Sequence, residues 1–148
     1  MRVLLSCYAC EPNRGSEPSV GWNWAVHLAR HCEVTVITRR NNRDLIEREC
    51  LKNPDTNKVQ WRYHDLNNWL TWLKKKSRAH RLYYLLWQRA LEKKLLNSQA
   101  NEHFDIVHHL TFASYRYSTA IGQFPAIRIW GPVGGAEFTP WNLLPWDA

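Results

Sequence analysis

Residues 3–38 read VLLSCYACEPNRGSEPSVGWNWAVHLARHCEVTVIT, an order that predicts a strand, a turn, a helix and a second strand. The apolar run 3–5 is the first strand, and the β-branched run 34–38 is the second. Between them, Ser16 stands where a helix N-cap is expected, followed by an acidic residue and a proline. A serine hydroxyl can cap unpaired amides there, an acidic residue suits the positive helix end, and proline lacks only an amide that would go unpaired.

The turn between this strand and helix has the features of an anion site. Gly15 allows the backbone to approach a ligand closely, and the helix that follows begins with free amides. Negative charge is favoured where such amides converge. The stretch therefore predicts a place to hold a phosphate, and the alternative is an ordinary turn before a capped helix.

Size and composition predict one globular domain over residues 1–148. A hydrophobic content of 45% excludes a disordered chain. Twenty Lys and Arg against thirteen Asp and Glu give a net charge of +7, which biases the surface toward anionic partners. Nucleic acid, acidic phospholipid and nucleotide-linked substrates all remain open on this ground. The nine tryptophans fit a core, a stacking surface or a membrane interface.

Neither a signal peptide nor a spanning helix is predicted. The apolar run 3–5 is too short for a signal peptide, and charged residues follow it closely. No run approaches the roughly 20 apolar residues of a spanning helix, so we expect a cytoplasmic protein. Cys7 and Cys10 form a C-x-x-C pair, but no second close pair completes a zinc site. The cysteines are therefore expected to be reduced, structural thiols.

Strands and helices continue to alternate beyond residue 38. Helices are predicted at 42–51, 77–96 and 113–122, and strands at 59–63, 104–109 and 126–130. This alternation predicts an α/β fold, a Rossmann-like parallel sheet with helices on both faces. One face of the long helix collects apolar side chains at helical spacing and is expected in the core. They are Tyr83, Tyr84, Leu86, Trp87, Ala90, Leu91 and Leu95.

In such sheets, ligands bind at the carboxyl ends of the strands. The stretches that follow the five predicted strands are small, polar or glycine-rich, as the lining of a site should be. They are residues 7–16, 39–40, 64–65, 108–112 and 131–137.

Three of these stretches resemble motifs of one known family. Residues 8–25 (YACEPNRGSEPSVGWNWA), 105–111 (DIVHHLT) and 130–137 (WGPVGGAE) are similar to motifs in the amino-terminal domain of family 4 retaining glycosyltransferases. These enzymes have the two-Rossmann-domain architecture called GT-B. The three motifs occur in the family's order, and the resemblance covers nearly the whole chain.

The resemblance implies an enzyme that moves a sugar from a nucleotide-diphosphate donor to a hydroxyl acceptor in polysaccharide or glycolipid synthesis. In the family, the amino-terminal domain mainly receives the acceptor, and the donor-binding domain carries two glutamates eight positions apart. No two glutamates here have that spacing. The chain is therefore expected to be the acceptor half, without the donor-binding domain and inefficient alone. The alternatives are a non-catalytic split-transferase partner and, less favoured, a basic nucleic-acid-binding module. Because the basic residues are scattered apart from one cluster, no nucleic-acid partner is expected.

The resemblance also implies roles for particular residues near the donor. Gly15, Ser16 and Glu17 would lie at the donor diphosphate, and His108 or His109 would contact the transferred sugar. Neighbouring strand residues face opposite ways, so only one histidine of the pair is expected to point into the cleft. A structural histidine bonded to a carbonyl is the alternative for either.

A second group of residues would bind the acceptor, namely Thr111, Gly134, Gly135 and Glu137. The alternative is that the glycines only permit a tight bend. No nucleophile is assigned, because family chemistry is thought to pass the sugar to the acceptor on the same face, with help from the leaving phosphate. No cofactor beyond the nucleotide sugar, and no metal, is expected.

One stretch combines aromatic and basic residues as an anionic membrane surface requires. Several family members act on lipid-linked acceptors, so peripheral association with the inner face of the membrane is predicted. The alternative is that the lysines are simply solvated. The residues facing the membrane would be Trp69, Trp72, Lys74, Lys75, Lys76 and Arg78.

Overall fold

A computed structural model describes residues 1–67, 80–98 and 102–134. Strands and helices alternate along these ranges. In chain order they are β1 (Arg2–Cys7), α1 (Glu17–Leu28), β2 (Glu33–Arg39), α2 (Arg43–Lys52), β3 (Val59–His64), α3 (His80–Ser98), β4 (Ile106–Thr111) and β5 (Ile127–Trp130). Short 3-10 helices, Arg40–Asn42 and Pro54–Lys58, precede α2 and β3.

The strands form one sheet in the order β3-β2-β1-β4-β5, and every neighbouring pair is parallel. The predicted α/β Rossmann-like fold is therefore confirmed. β1 lies at the centre, where Leu5 pairs with Val36 of β2 on one side and with His108 of β4 on the other. All the strands end at one edge of the sheet, which we call the carboxyl edge.

Helices cover both faces of the sheet, as predicted. On the α1 face, Trp22 of α1 stacks on Trp61 of β3 with ring centroids 5.2 Å apart, and Ile46 of α2 joins the same buried cluster. On the α3 face, Leu4 of β1 packs in a cluster with Trp87. Because successive strand residues point to opposite faces, β1 contributes alternate side chains to the two cores.

Most predicted elements are confirmed, with small shifts at their ends. β4 begins at Ile106 rather than at residue 104, and just before it the carboxylate of Asp105 accepts a hydrogen bond from the Arg2 amide at 2.7 Å. The predicted core face of α3 is confirmed for five of its residues. The buried ones are Tyr83, Tyr84, Trp87, Leu91 and Leu95, while Leu86 and Ala90 are half-buried.

The short helix predicted at 113–122 is wrong. This segment forms turns, and Ser114 instead makes a parallel bridge with Gly134. Ala120 is buried, and its amide donates to the buried side chain of Gln88 at 2.8 Å. The serine, threonine and tyrosine residues in the segment have weak helix propensity, so these tertiary contacts decide its conformation.

Gly21 sets the distance between α1 and the end of β1. A Cβ at this position would lie 2.4 Å from the carbonyl oxygen of Ala9, so only glycine allows the helix this close. Thr111 holds the same residue from β4: its Oγ1 donates to the Ala9 carbonyl at 2.8 Å and accepts from the Ala9 amide at 3.0 Å. The start of the β1–α1 loop is therefore fixed from two sides.

The C-x-x-C pair belongs to this anchored region. Cys7 and Cys10 are free thiols and fully buried. A hydrogen bond with Cys10, together with burial, raises the pKa of the Cys7 thiol. Both features describe unreactive thiols that pack in the core.

Candidate functional site

The β1–α1 loop presents unused amides at the carboxyl edge. None of the hydrogen bonds between the described residues uses the amides of Gly15, Ser16 or Glu17. Gly15 is exposed, and a Cβ there would meet no atom within 4 Å. Free amides at the start of a helix are the donors that an anion site requires.

Ser16 caps α1 differently from the prediction. Its hydroxyl makes no capping hydrogen bond, so the predicted side-chain cap is wrong. Its backbone carbonyl accepts from the amides of Ser19 at 3.1 Å and Val20 at 3.3 Å. The reason is its backbone geometry, with φ 62° and ψ −148°, which differs from the extended conformation that aims an N-cap side chain at the helix amides.

Glu17 joins the loop to the end of β4. Its carboxylate accepts a hydrogen bond from the backbone amide of Ala113. The sequence predicted that this residue lies at the donor diphosphate, where its carboxylate and a phosphate side by side would repel each other. Glu17 therefore fits the predicted diphosphate site through its backbone amide, while its carboxylate holds the site together.

Two arginines lie at the end of β2 on the same edge, Arg39 as its last residue and Arg40 just after it. The Arg39 guanidinium lies 4.3 Å from the centre of the Tyr8 ring, and its Nε donates to the Tyr8 carbonyl at 3.0 Å. Arg40 is exposed. Among the described residues, neither arginine forms a salt bridge, whereas Arg14 is paired with Glu11 at 2.6 Å. The sequence placed residues 39–40 in the lining of the site but assigned these arginines no role, although adjacent arginines at a strand end are a visible signal.

His108 lies on the α1 face of β4 and is 6% exposed. Its Nε2 is 2.7 Å from the Gly131 carbonyl, which can only accept, so Nε2 carries the proton. Its ring also makes a T-shaped contact with the Trp24 ring, with the centroids 5.7 Å apart. Burial lowers the pKa of His108, opposed by the hydrogen bond to Gly131. The imidazole is therefore neutral near pH 7, with Nδ1 as an acceptor that no hydrogen bond between the described residues uses.

His109 lies on the α3 face, which confirms that the two histidines point to opposite sides. It is 2% exposed, with Nε2 at 3.2 Å from the Tyr84 hydroxyl and Nδ1 at 3.4 Å from the Ser6 hydroxyl. Burial lowers the pKa of His109 to about 4. Because protein groups surround both ring nitrogens, His109 resembles a structural residue more than His108 does.

The predicted acceptor residues divide into three cases. Thr111 is fully buried, and its hydroxyl is committed to Ala9. The Gly134 amide donates to the Ala113 carbonyl at 3.3 Å, beside the Ser114 bridge. Gly135 and Glu137 lie outside the described residues, as does the predicted membrane-facing stretch at 69–78.

Three distant motifs therefore meet at the carboxyl edge. Glu17 links the glycine turn to the segment after β4, and His108 links β4 to Gly131 after β5. The same segment after β4 pairs with Gly134. The result is a single bonded unit of three strand ends. Free amides lie at one side of it, and at the end of β2 lie two guanidinium groups that form no salt bridge with a described residue.

The described residues contain neither a metal centre nor a helix that could cross a bilayer. No group of three or more His, Cys, Asp or Glu side chains in the described ranges is arranged around a possible ion. No helix there is both long enough and apolar enough to span. The chain has no significant match among protein-family models, curated proteins or solved structures. The functional argument therefore rests on the site itself.

Proposed function

We propose that the chain is the acceptor-binding half of a retaining glycosyltransferase, which moves a sugar from a nucleotide-diphosphate donor to a hydroxyl acceptor in polysaccharide or glycolipid synthesis. The observation that carries this proposal is the contact between its three family-like motifs. Thr111 of the second motif bonds Ala9 of the first, 102 positions away, and His108 of the second bonds Gly131 of the third, 23 positions away. The parallel sheet brings every strand end to one edge, and these side-chain bonds in addition join the three motifs to one another.

The charges at this edge support a diphosphate as the ligand. The free amides of residues 15–17 would donate to phosphate oxygens, and the helix end behind them favours negative charge. Arg39 and Arg40 would supply guanidinium groups from the next strand, and such groups bind phosphate in a fork. The competing carboxylate of Glu17 already has a donor in Ala113.

His108 is the better candidate for contact with the transferred sugar. A neutral imidazole with an open Nδ1 can accept a hydrogen bond from a sugar hydroxyl. His109 lacks such an open nitrogen. In this proposal the leaving phosphate assists transfer on the same face of the sugar, so no protein nucleophile is required and none is assigned.

The test requires the donor-binding half, from downstream sequence or from a separate chain. The assembled protein is assayed with a panel of nucleotide sugars and with carbohydrate or lipid-linked acceptors. We expect transfer that falls by about tenfold or more in Arg40→Ala, because one charge-assisted contact to phosphate is lost. Arg30→Ala, an exposed arginine after α1 at the opposite edge, should retain full activity. Equal activity in both variants, or no transfer by any assembly, would contradict the proposal.

We also propose that the aromatic and basic stretch at 69–78 binds an anionic membrane surface. This proposal rests on the sequence, since the stretch lies outside the described residues. Sedimentation with liposomes should show binding only when anionic lipid is present, and high salt should weaken it. Equally weak binding to neutral and anionic liposomes would exclude it.

A further inference from the structure

A groove lies on the α3 face of the sheet, between α3, the turns after β4 and the end of β5. Its main chamber has a volume of about 490 Å³, within the range of small-molecule sites. A second hollow of about 250 Å³ continues it along α3. Glu92 and Gln123 line both, so the two form one groove. In the order of the sheet, β5 is separated from β2 and its arginines by two strands.

Aromatic rings line the main chamber. Trp130 pairs in register with His109, so its indole lies on the α3 face, and it is 48% exposed. Tyr117 is held in place by ring contacts with Tyr84 at 5.7 Å and Phe112 at 5.8 Å. A large exposed ring beside polar groups is typical of a ligand site. Because its neighbours fix Tyr117, this part of the groove is formed before a ligand arrives.

Polar side chains in the groove are available for a ligand. None of the hydrogen bonds or ion pairs between the described residues uses the side chains of Glu92, Ser118, Thr119 or Gln123. They offer a carboxylate, two hydroxyls and an amide, and therefore both donors and acceptors. Arg128 is already held, since its Nη1 donates to the Gly122 carbonyl at 2.6 Å.

We infer that this groove binds a carbohydrate. The C–H face of a sugar ring packs on the negative face of an indole such as Trp130. Sugar hydroxyls both donate and accept, which matches the mixed polar lining, and a carboxylate such as Glu92 accepts strongly from hydroxyls. The chamber carries one carboxylate, Glu92, and one guanidinium, Arg128, so its lining has no excess of positive charge that would select a phosphate. The identification of this carbohydrate as the glycosyl acceptor rests on the proposed function; the binding site itself does not.

The second hollow adds charged side chains that should select among saccharides. It adds Arg89 and Lys93, two cations on either side of Glu92 in the sequence of α3. A second sugar ring would reach them, and an acidic substituent on that ring would gain a favourable charge contact. The groove should therefore bind oligosaccharides more tightly than monosaccharides, and acidic oligosaccharides most tightly.

Calorimetric titration of the chain with neutral and acidic saccharides of increasing length tests the inference. Trp130→Ala should weaken binding by about tenfold or more, which corresponds to about 1.4 kcal/mol. Glu92→Gln, which preserves shape, should weaken it severalfold. Leu45→Ala is the matched control, because this large apolar side chain is 43% exposed on α2, which packs on the other face of the sheet. It should change binding less than about twofold, on the scale where tenfold is 1.4 kcal/mol.

Three results would overturn the inference. They are no binding of any saccharide, equal losses in Trp130→Ala and Leu45→Ala, and binding confined to inorganic phosphate that Glu92→Gln strengthens. Circular dichroism and thermal unfolding identify the variants that are folded. If a substitution at Trp130 unfolds the chain, Glu92→Gln carries the test.

The same experiments separate the groove from the proposed transferase function. If saccharide binding depends on Trp130 but no donor-containing assembly transfers sugar, the inferred binding site in the groove is supported and the proposed transferase function is overturned. If sugar is transferred and Trp130→Ala leaves the KM for the acceptor unchanged, the transferase function is supported, and the groove is not the acceptor site.

Discussion

Glu17, the first residue of α1, accepts a hydrogen bond from the backbone amide of Ala113, 96 positions further along the chain. The bond connects a helix start after β1 with the turn after β4. The donor and the acceptor of this bond both lie at the carboxyl edge, where the sheet order places β1 beside β4. One side chain thereby fixes how two loops of the candidate site lie relative to each other.

Removal of this carboxylate should loosen the loops without unfolding the sheet. Glu17→Ala is expected to lower the free energy of unfolding by about 1 kcal/mol, the usual net value of one hydrogen bond. Glu17→Gln retains an acceptor oxygen and should recover much of this loss. Urea unfolding measures the difference. If the two variants have the same stability, the Ala113 bond does not stabilise the protein.

Ser16 has a backbone conformation that favours glycine. With φ 62° and ψ −148°, it lies in a region that costs other residues roughly 1–3 kcal/mol. Ser16→Gly should therefore raise the free energy of unfolding by about 1 kcal/mol, after the larger chain entropy of glycine is subtracted. Thermal unfolding checks this expectation.

Ser16→Ala is the matched control for that variant. Because the hydroxyl makes no capping bond, this substitution should be nearly neutral, whereas loss of a working serine cap costs about 1 kcal/mol. A large loss in Ser16→Ala would show that the hydroxyl caps α1 in solution.

Gly21→Ala should be strongly destabilising. The added methyl group would lie 2.4 Å from the Ala9 carbonyl oxygen, a backbone atom that Thr111 also holds. Overpacking of this kind typically costs about 1–3 kcal/mol. Gly15→Ala, with no atom within 4 Å of the new methyl group, should stay within about 0.5 kcal/mol of the wild type. Denaturant unfolding of both variants makes the comparison, and equal losses would contradict the close approach.

The stability of the protein should fall between pH 6.5 and about 4, partly because of His109. Burial lowers its pKa from 6.5 to about 4, so the unfolded chain binds the proton first as the pH falls. The contribution of neutral His109 to the free energy of unfolding is on the order of 3 kcal/mol. It is fully present above pH 6.5 and is lost as the pH falls through about 4. His109→Gln removes the titrating group and should flatten this part of the profile. An unchanged slope would assign the acid sensitivity to other groups.

The four thiols should differ in reactivity. Cys7 and Cys10 are fully buried, whereas Cys32 and Cys50 are half-buried. Native protein treated with iodoacetamide should therefore be labelled first at Cys32 and Cys50, while Cys7 and Cys10 react only after unfolding. Mass spectrometry locates the label. Early modification of Cys7 would show that the end of β1 opens readily.

The sequence by itself determined the class of the fold and the position of most elements. Alternating strand and helix patterns predict a parallel sheet, and the spacing of Tyr83, Tyr84, Trp87, Leu91 and Leu95 identifies the core face of α3. These features are local, because side-chain periods of two and of 3.6 residues follow from backbone geometry. They do not depend on contacts with distant parts of the chain.

Only the tertiary structure decided which side chains and backbone groups bond or pack against each other. The sequence marked His108 and His109 equally, yet the structure bonds one to the Gly131 carbonyl and surrounds the other with hydroxyls. It turned the helix predicted at 113–122 into turns, and it placed Trp130 beside Glu92 in a groove. Such pairings join residues from different strands and helices. No local pattern encodes them, because they depend on which strands become neighbours and on which face each side chain points.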